Sequence, residues 1–110
     1  GAAFEVAPAL FAHFGAEVIT FSHEPNGKNI NVACGAVHPT SLQKLVLEHR
    51  ADAGFAFDGD SDRVIAVNCA GEIRDGDDIL ALLLDHPQYK NTTTVVGTIM
   101  TNKGLESWLS

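Results

Sequence analysis

Ala53 to Phe57 is apolar without interruption and stops abruptly at Asp58-Gly59-Asp60-Ser61-Asp62-Arg63. A short apolar run of this kind reads as a strand, and its abrupt stop at three alternating carboxylates marks the start of a loop. In an α/β sheet that place is the carboxyl end of a strand, where ligands gather. Three negative charges within five residues repel one another unless a cation holds them, and a hard divalent ion takes oxygen ligands of this type. Gly59 is expected to give the loop the backbone freedom to make the side chains converge, and Arg63 to set a fork-shaped cation where a phosphate can be received.

The elements around this loop alternate. Val6, Leu10 and Phe14, with Phe4 and Phe11 beside them, recur at spacings of three and four within Ala3 to Phe14, before the breaker Gly15, which predicts an amphipathic helix. Glu17 to Ser22 is rich in β-branched and aromatic residues and reads as a strand. Pro25-Asn26-Gly27 marks a turn inside a long loop. Thr40 and Gln43 have the spacing of a capping box for a helix ending near His49 or Arg50. Val64 to Val67 is a second strand, and Glu72 to Arg74 closes a hairpin with it after a turn at Asn68 to Gly71. Asp75 caps a helix carrying Ile79, Leu80 and Leu82 to Leu84, which Pro87 stops. Thr94 to Ile99 reads as a further strand, with a helix from about Asn102. The fold class is α/β, a layered αβα arrangement on a mixed, partly parallel sheet. The chain opens in a helix with no strand ahead of it and closes in a helix barely begun, the pattern of a segment cut from something longer.

With 110 residues, 45% hydrophobic and 19% charged, the chain has the makings of a folded core, and its formal net charge of -7 sets it against nucleic acid and anionic membrane surfaces. No apolar run is long enough to span a bilayer and the first residues do not read as a signal peptide, so a cytoplasmic protein is expected. Cys34 and Cys69 have no metal-site spacing and read as free thiols.

The acidic loop admits several readings. A solvated turn is the plain one. An EF-hand needs Gly at its sixth position and Glu at its twelfth, where this chain has Arg63 and Cys69. A dehalogenase-type phosphatase loop, D-x-D-[ST], is matched by Asp58, Asp60 and Ser61, with Asp58 as nucleophile. A non-catalytic acidic metal-binding module is the remaining alternative. Asn26, Asn29 and Asn31 are open to two readings, substrate contact or turn formation. The five histidines, His13, His23, His38, His49 and His86, are scattered over different elements, and Asp75, Asp77 and Asp78 read as a helix N-terminus.

FDGDSDR, with EPNGKNINVACGA before it and DGDDIL and VGTIMTNKGLE after it, resembles the α-D-phosphohexomutase superfamily along nearly the whole chain. The EPNG, NIN and CGA elements resemble the branch acting on glucosamine phosphates. The resemblance implies that Asp58, Asp60 and Asp62 are Mg²⁺ ligands, that Ser61 stands where the family has Gly or Ser, and that Arg63 helps handle phosphate. It implies a phosphosugar substrate, glucosamine 6-phosphate and glucosamine 1-phosphate interconverting through a bisphosphate, and a phosphoserine from another domain as the fourth ligand. It further implies that residues 1–70 are most of the second domain, without its first strand, and 71–110 the start of the third. No catalytic nucleophile is expected in this chain: Ser22-His23-Glu24-Pro25 resembles the family's S-H-N-P, but Glu24 would set a negative charge against a phosphate and the residues that follow match the second domain. The isolated chain is expected to be inactive and to self-associate.

Overall fold

The computed structural model describes residues 1–109. Helix α1 spans Val6–His13, α2 Pro39–His49, β1 Ala53–Phe57, β2 Val64–Asn68, β3 Ile73–Arg74, α3 Gly76–Asp85 and α4 Lys103–Leu109, with a 3₁₀ turn at Pro87–Tyr89. The strands form one sheet in the order β1-β2-β3. The chain divides into two compact units, residues 1–73 and 74–110.

In the first unit β1 and β2 pair antiparallel, with Phe57 opposite Val64 and Ala53 opposite Asn68. The expected partly parallel sheet is corrected at this pair. Only six residues separate the two strands, and a parallel connection needs a crossover of a dozen or more. Successive residues of a strand face opposite sides, and the two helices use that alternation. A Cβ on Gly54 would lie 2.5 Å from Val46 Cγ2 and 2.8 Å from Leu42 Cδ1, so α2 rests directly on the bare backbone of β1. On the other side Phe55 stacks on Phe11 of α1 at 5.0 Å between ring centres. The result is the expected helix-sheet-helix layering. Val67, 1% exposed, and Val46, 3% exposed, are its most buried residues.

Local differences from the sequence reading have physical causes. Helix α1 begins at Val6, and Val6, Leu10 and Phe14 remain exposed; Phe11, beside that stripe, makes the sheet contact. The expected strand at 17–22 does not form, because β-branched composition supplies the dihedral preference but a ladder needs a neighbour; Phe21 lies instead against the His49 ring at 5.5 Å. The capping box at Thr40 and Gln43 does not form. Helix α2 starts two residues earlier, at Pro39 with His38 as its N-cap, and the Pro39 ring presets the helical φ; Gln43 Nε2 donates to the Gly71 carbonyl at 2.6 Å.

In the second unit Asp75 caps α3 as expected. Its side chain accepts from the Asp77 and Asp78 amides, while the Asp78 carboxylate accepts from the Asp75 amide. The Asn102 amide donates to Asp77 Oδ2 at 2.7 Å, and Asn102 Oδ1 in turn accepts from Leu105 of α4. The expected strand at 94–99 is absent: these residues lie outside regular structure, with Val96 89% and Ile99 101% exposed.

Candidate metal centre

Asp58 directly follows β1 and Arg63 directly precedes β2, so the pairing of Phe57 with Val64 forces the six intervening residues into a closed loop. The loop is sealed by its own backbone. The Asp58 amide donates to the Arg63 carbonyl at 3.3 Å and the Ser61 amide to the Asp58 carbonyl at 3.1 Å. Ser61, with φ of 65°, makes the left-handed turn. Gly59, expected to supply that freedom, is not among the residues of positive φ. What it supplies is closeness, since a Cβ there would come within 2.9 Å of Ile30 Cδ1.

Asp58 is 5% exposed. Its Oδ1 accepts from the Arg63 amide at 3.1 Å and its Oδ2 from Arg63 Nε at 2.6 Å, a charge-assisted pair that satisfies both oxygens. Arg63 lies 3.7 Å from Asp62 Oδ1 as well, and its side chain is 71% exposed, leaving the outer edge of the guanidinium in solvent. Burial pushes the Asp58 carboxyl up. The hydrogen bonds from the Arg63 amide and side chain, then that from Asp62 and the Arg63 charge, outweigh it and hold the group below its ordinary value. Asp62 is pushed the other way, first by its hydrogen bond with Asp58, then by the charges of Asp58 and Asp60.

One oxygen from each of Asp58, Asp60 and Asp62 can be chosen so that all three lie within 4.8 Å of one another. Among the described residues, this is the one group of three or more His, Cys, Asp or Glu side chains that can share an ion. Oxygens on opposite sides of an octahedral Mg²⁺ are about 4.2 Å apart, so the donor set fits a hard divalent cation with a small inward movement of the exposed Asp60 and Asp62. Charge agrees with donor type: three carboxylates less one guanidinium leave two negative charges for a doubly charged ion.

The other candidates are not brought here. Asp75, Asp77 and Asp78 are engaged at the start of α3 and in the bond to Asn102. Asn26 Oδ1 accepts from the Lys28 and Asn29 amides, and Asn29 donates to the Glu24 carbonyl, so both serve their own turn. Asn31 is different: its Nδ2 lies 3.5 Å from the position a Cβ on Gly59 would take. Neither it nor Ile30 is marked out by the sequence, since residues 28 positions from the loop carry no local signal of contact with it. Ser22 is exposed and sits in a left-handed turn with φ of 52°, with no place among the carboxylates.

An αβα unit carrying a carboxylate cage at the end of a strand defines the class. The family model described as phosphoglucomutase/phosphomannomutase, alpha/beta/alpha domain II, matches residues 1–71, and the chain belongs to that family. Its relatives include the protein named phosphoglucosamine mutase in Zymomonas mobilis, 55% identical across 100% of this chain and 25% of the relative. The proteins of that name in Agrobacterium fabrum and Acinetobacter baylyi are 52% and 50% identical over 99% and 96% of the chain. The chain spans about a quarter of the length of these relatives. No described helix is long and apolar enough to cross a membrane.

Proposed function

We propose that this chain supplies the cation-binding loop of a phosphoglucosamine mutase, an isomerase interconverting glucosamine 6-phosphate and glucosamine 1-phosphate through a bisphosphate. The supporting observation is the convergence of Asp58, Asp60 and Asp62 beside an Arg63 that is anchored through Nε and the backbone amide. In this reading the three aspartates hold Mg²⁺. When bound, the ion supplies Lewis-acid stabilisation of charge on the transferring phosphoryl oxygens. Arg63 has a double part: its inner edge fixes Asp58, and its solvent-facing nitrogens offer donors to a phosphate oxygen. Residues 1–70 then belong to the second domain of the mutase and 71–110 to the third, with the phosphoserine contributed from outside this chain, and the enzyme works in the cytoplasm.

The family match and the relatives named phosphoglucosamine mutase favour the mutase reading over the phosphatase alternative. A purely structural acidic module would have no use for the outer donors of Arg63. The test is made in the full-length enzyme that carries this segment, in a coupled assay from glucosamine 6-phosphate. Asp60→Asn is expected to lower kcat by about a hundredfold, the scale for removing one electrostatic stabiliser, and to raise the Mg²⁺ requirement. Unchanged kcat and unchanged Mg²⁺ dependence would overturn the assignment.

A further inference from the structure

We propose that Asn29 to Ala36 is a clamp holding the carboxylate loop in its cation-binding shape, with Ile30 as a positioning residue acting through Gly59; the proposal rests on the metal-loop reading above. The clamp touches the loop at its entry and at its second residue. The Ala36 amide donates to the carbonyl of Phe57, the residue before Asp58, at 3.2 Å. A Cβ on Gly35 would come within 3.0 Å of that same carbonyl and within 3.0 Å of Asn31 Oδ1, so glycine at 35, with φ of 79°, lets the clamp lie this close without strain. At the second residue, Ile30 Cδ1 and Cγ1 lie 2.9 and 3.4 Å from where a Cβ on Gly59 would be. Ile30, 54% exposed, thus sets the movable end of its side chain as a wall against the Gly59 backbone, midway between Asp58 and Asp60.

The clamp is itself held under constraint. Asn31, Ala33 and Gly35 all have positive φ, at 58°, 51° and 79°, and alanine adopts this region only when its surroundings impose it. Ser41 Oγ in the first turn of α2 donates to the Ala33 carbonyl at 3.0 Å. A mechanical path therefore runs from α2 through Ala33 and Ile30 to Gly59. Three carboxylates that repel one another would splay if the backbone between them were free. A wall behind Gly59 removes that freedom in advance, so less conformational freedom is lost when the cation arrives.

The test uses the 110-residue chain by NMR, with amide exchange and shifts of residues 58–63 read without metal, and Mn²⁺ affinity read by paramagnetic broadening. Gly59→Ala, whose new methyl meets Ile30, and Ile30→Ala, which removes the wall, are each expected to speed exchange at Ser61 and Arg63 and to weaken Mn²⁺ binding severalfold, with β1 and β2 amides unmoved. The double variant is expected to recover part of the Gly59→Ala loss, because the clash is gone. Strictly additive effects, or an Ile30→Ala loop identical to the parent, would overturn the clamp. Ile30→Val serves as the milder probe if Ile30→Ala disturbs the fold. Asp60→Asn separates the two proposals. If it leaves Mn²⁺ affinity intact, the metal-loop reading fails, and the clamp falls as a cation-positioning device with it. If it lowers affinity while the clamp variants do not couple, only the clamp fails.

Discussion

Arg63 holds Asp58 from two directions, donating its backbone N–H to Oδ1 at 3.1 Å and Nε–H to Oδ2 at 2.6 Å. The pair closes the six-residue loop between two antiparallel strands, so one side chain serves as strut and as counter-charge. Arg63→Ala leaves the backbone bond but strips the cation from a buried carboxylate. The expected outcome is a rise in the Asp58 pKa and a lower urea midpoint, with Arg63→Lys intermediate because it lacks the planar fork. Carboxyl ¹³C shifts and urea denaturation of the chain check both; an Asp58 titration unmoved by Arg63→Ala would contradict the strut.

Acidification should act on Asp58 and Asp62 with opposite signs. Asp58 titrates below its ordinary value in the folded chain, so its contribution is complete above the unfolded carboxylate pKa and is lost as pH falls through the lowered one. Asp62 titrates above its ordinary value, so its ionised form opposes folding near neutrality, and that opposition disappears as pH falls through the raised one. Stability is expected to rise slightly as Asp62 protonates and to drop once Asp58 does. Residue-resolved titration gives the order directly; Asp58 protonating before Asp62 would be the wrong order.

Addition of Mg²⁺ or Mn²⁺ should move the amides of residues 58–63 first. Affinity is expected to be low, since Mg²⁺ keeps its water and three aspartates give it only part of a shell. Asp60→Asn should weaken it by about tenfold or more, at least the effect of losing an outer-shell partner. Shifts centred on 75–78 would place the ion at the wrong cluster.

Asp75→Ala removes the side chain that accepts from the Asp77 and Asp78 amides at the start of α3. The cost is expected to be about 1 kcal/mol, the usual worth of an N-cap, read as faster amide exchange in the first turn of α3 with the 58–63 loop unchanged.

Coupled assays of the 110-residue chain with glucosamine 1-phosphate and Mg²⁺ are expected to show background only, since the chain carries no phosphoserine loop in the reading above. Activity abolished by Ser22→Ala would reinstate that serine. Val96, Ile99 and Met100, exposed by 84% or more, leave apolar surface in water, and association at micromolar concentration is the expected consequence. Sedimentation as an unassociated monomer would refute it.

What the sequence alone determined is whatever a few neighbouring residues can specify. The apolar run 53–57 ending in alternating aspartates specified a strand and an acidic loop, Asp75 with Asp78 specified the start of a helix, and the combination pointed to the family. These are local matters of burial, capping and charge. Composition could not decide whether 17–22 or 94–99 finds a partner, because a strand is a relation between two segments. Tertiary structure alone decided that Phe11 rather than the Val6, Leu10 and Phe14 stripe meets the sheet, and that Ile30 lies against Gly59. Each depends on which distant atoms compete for one volume, and that competition is settled only when the chain has packed.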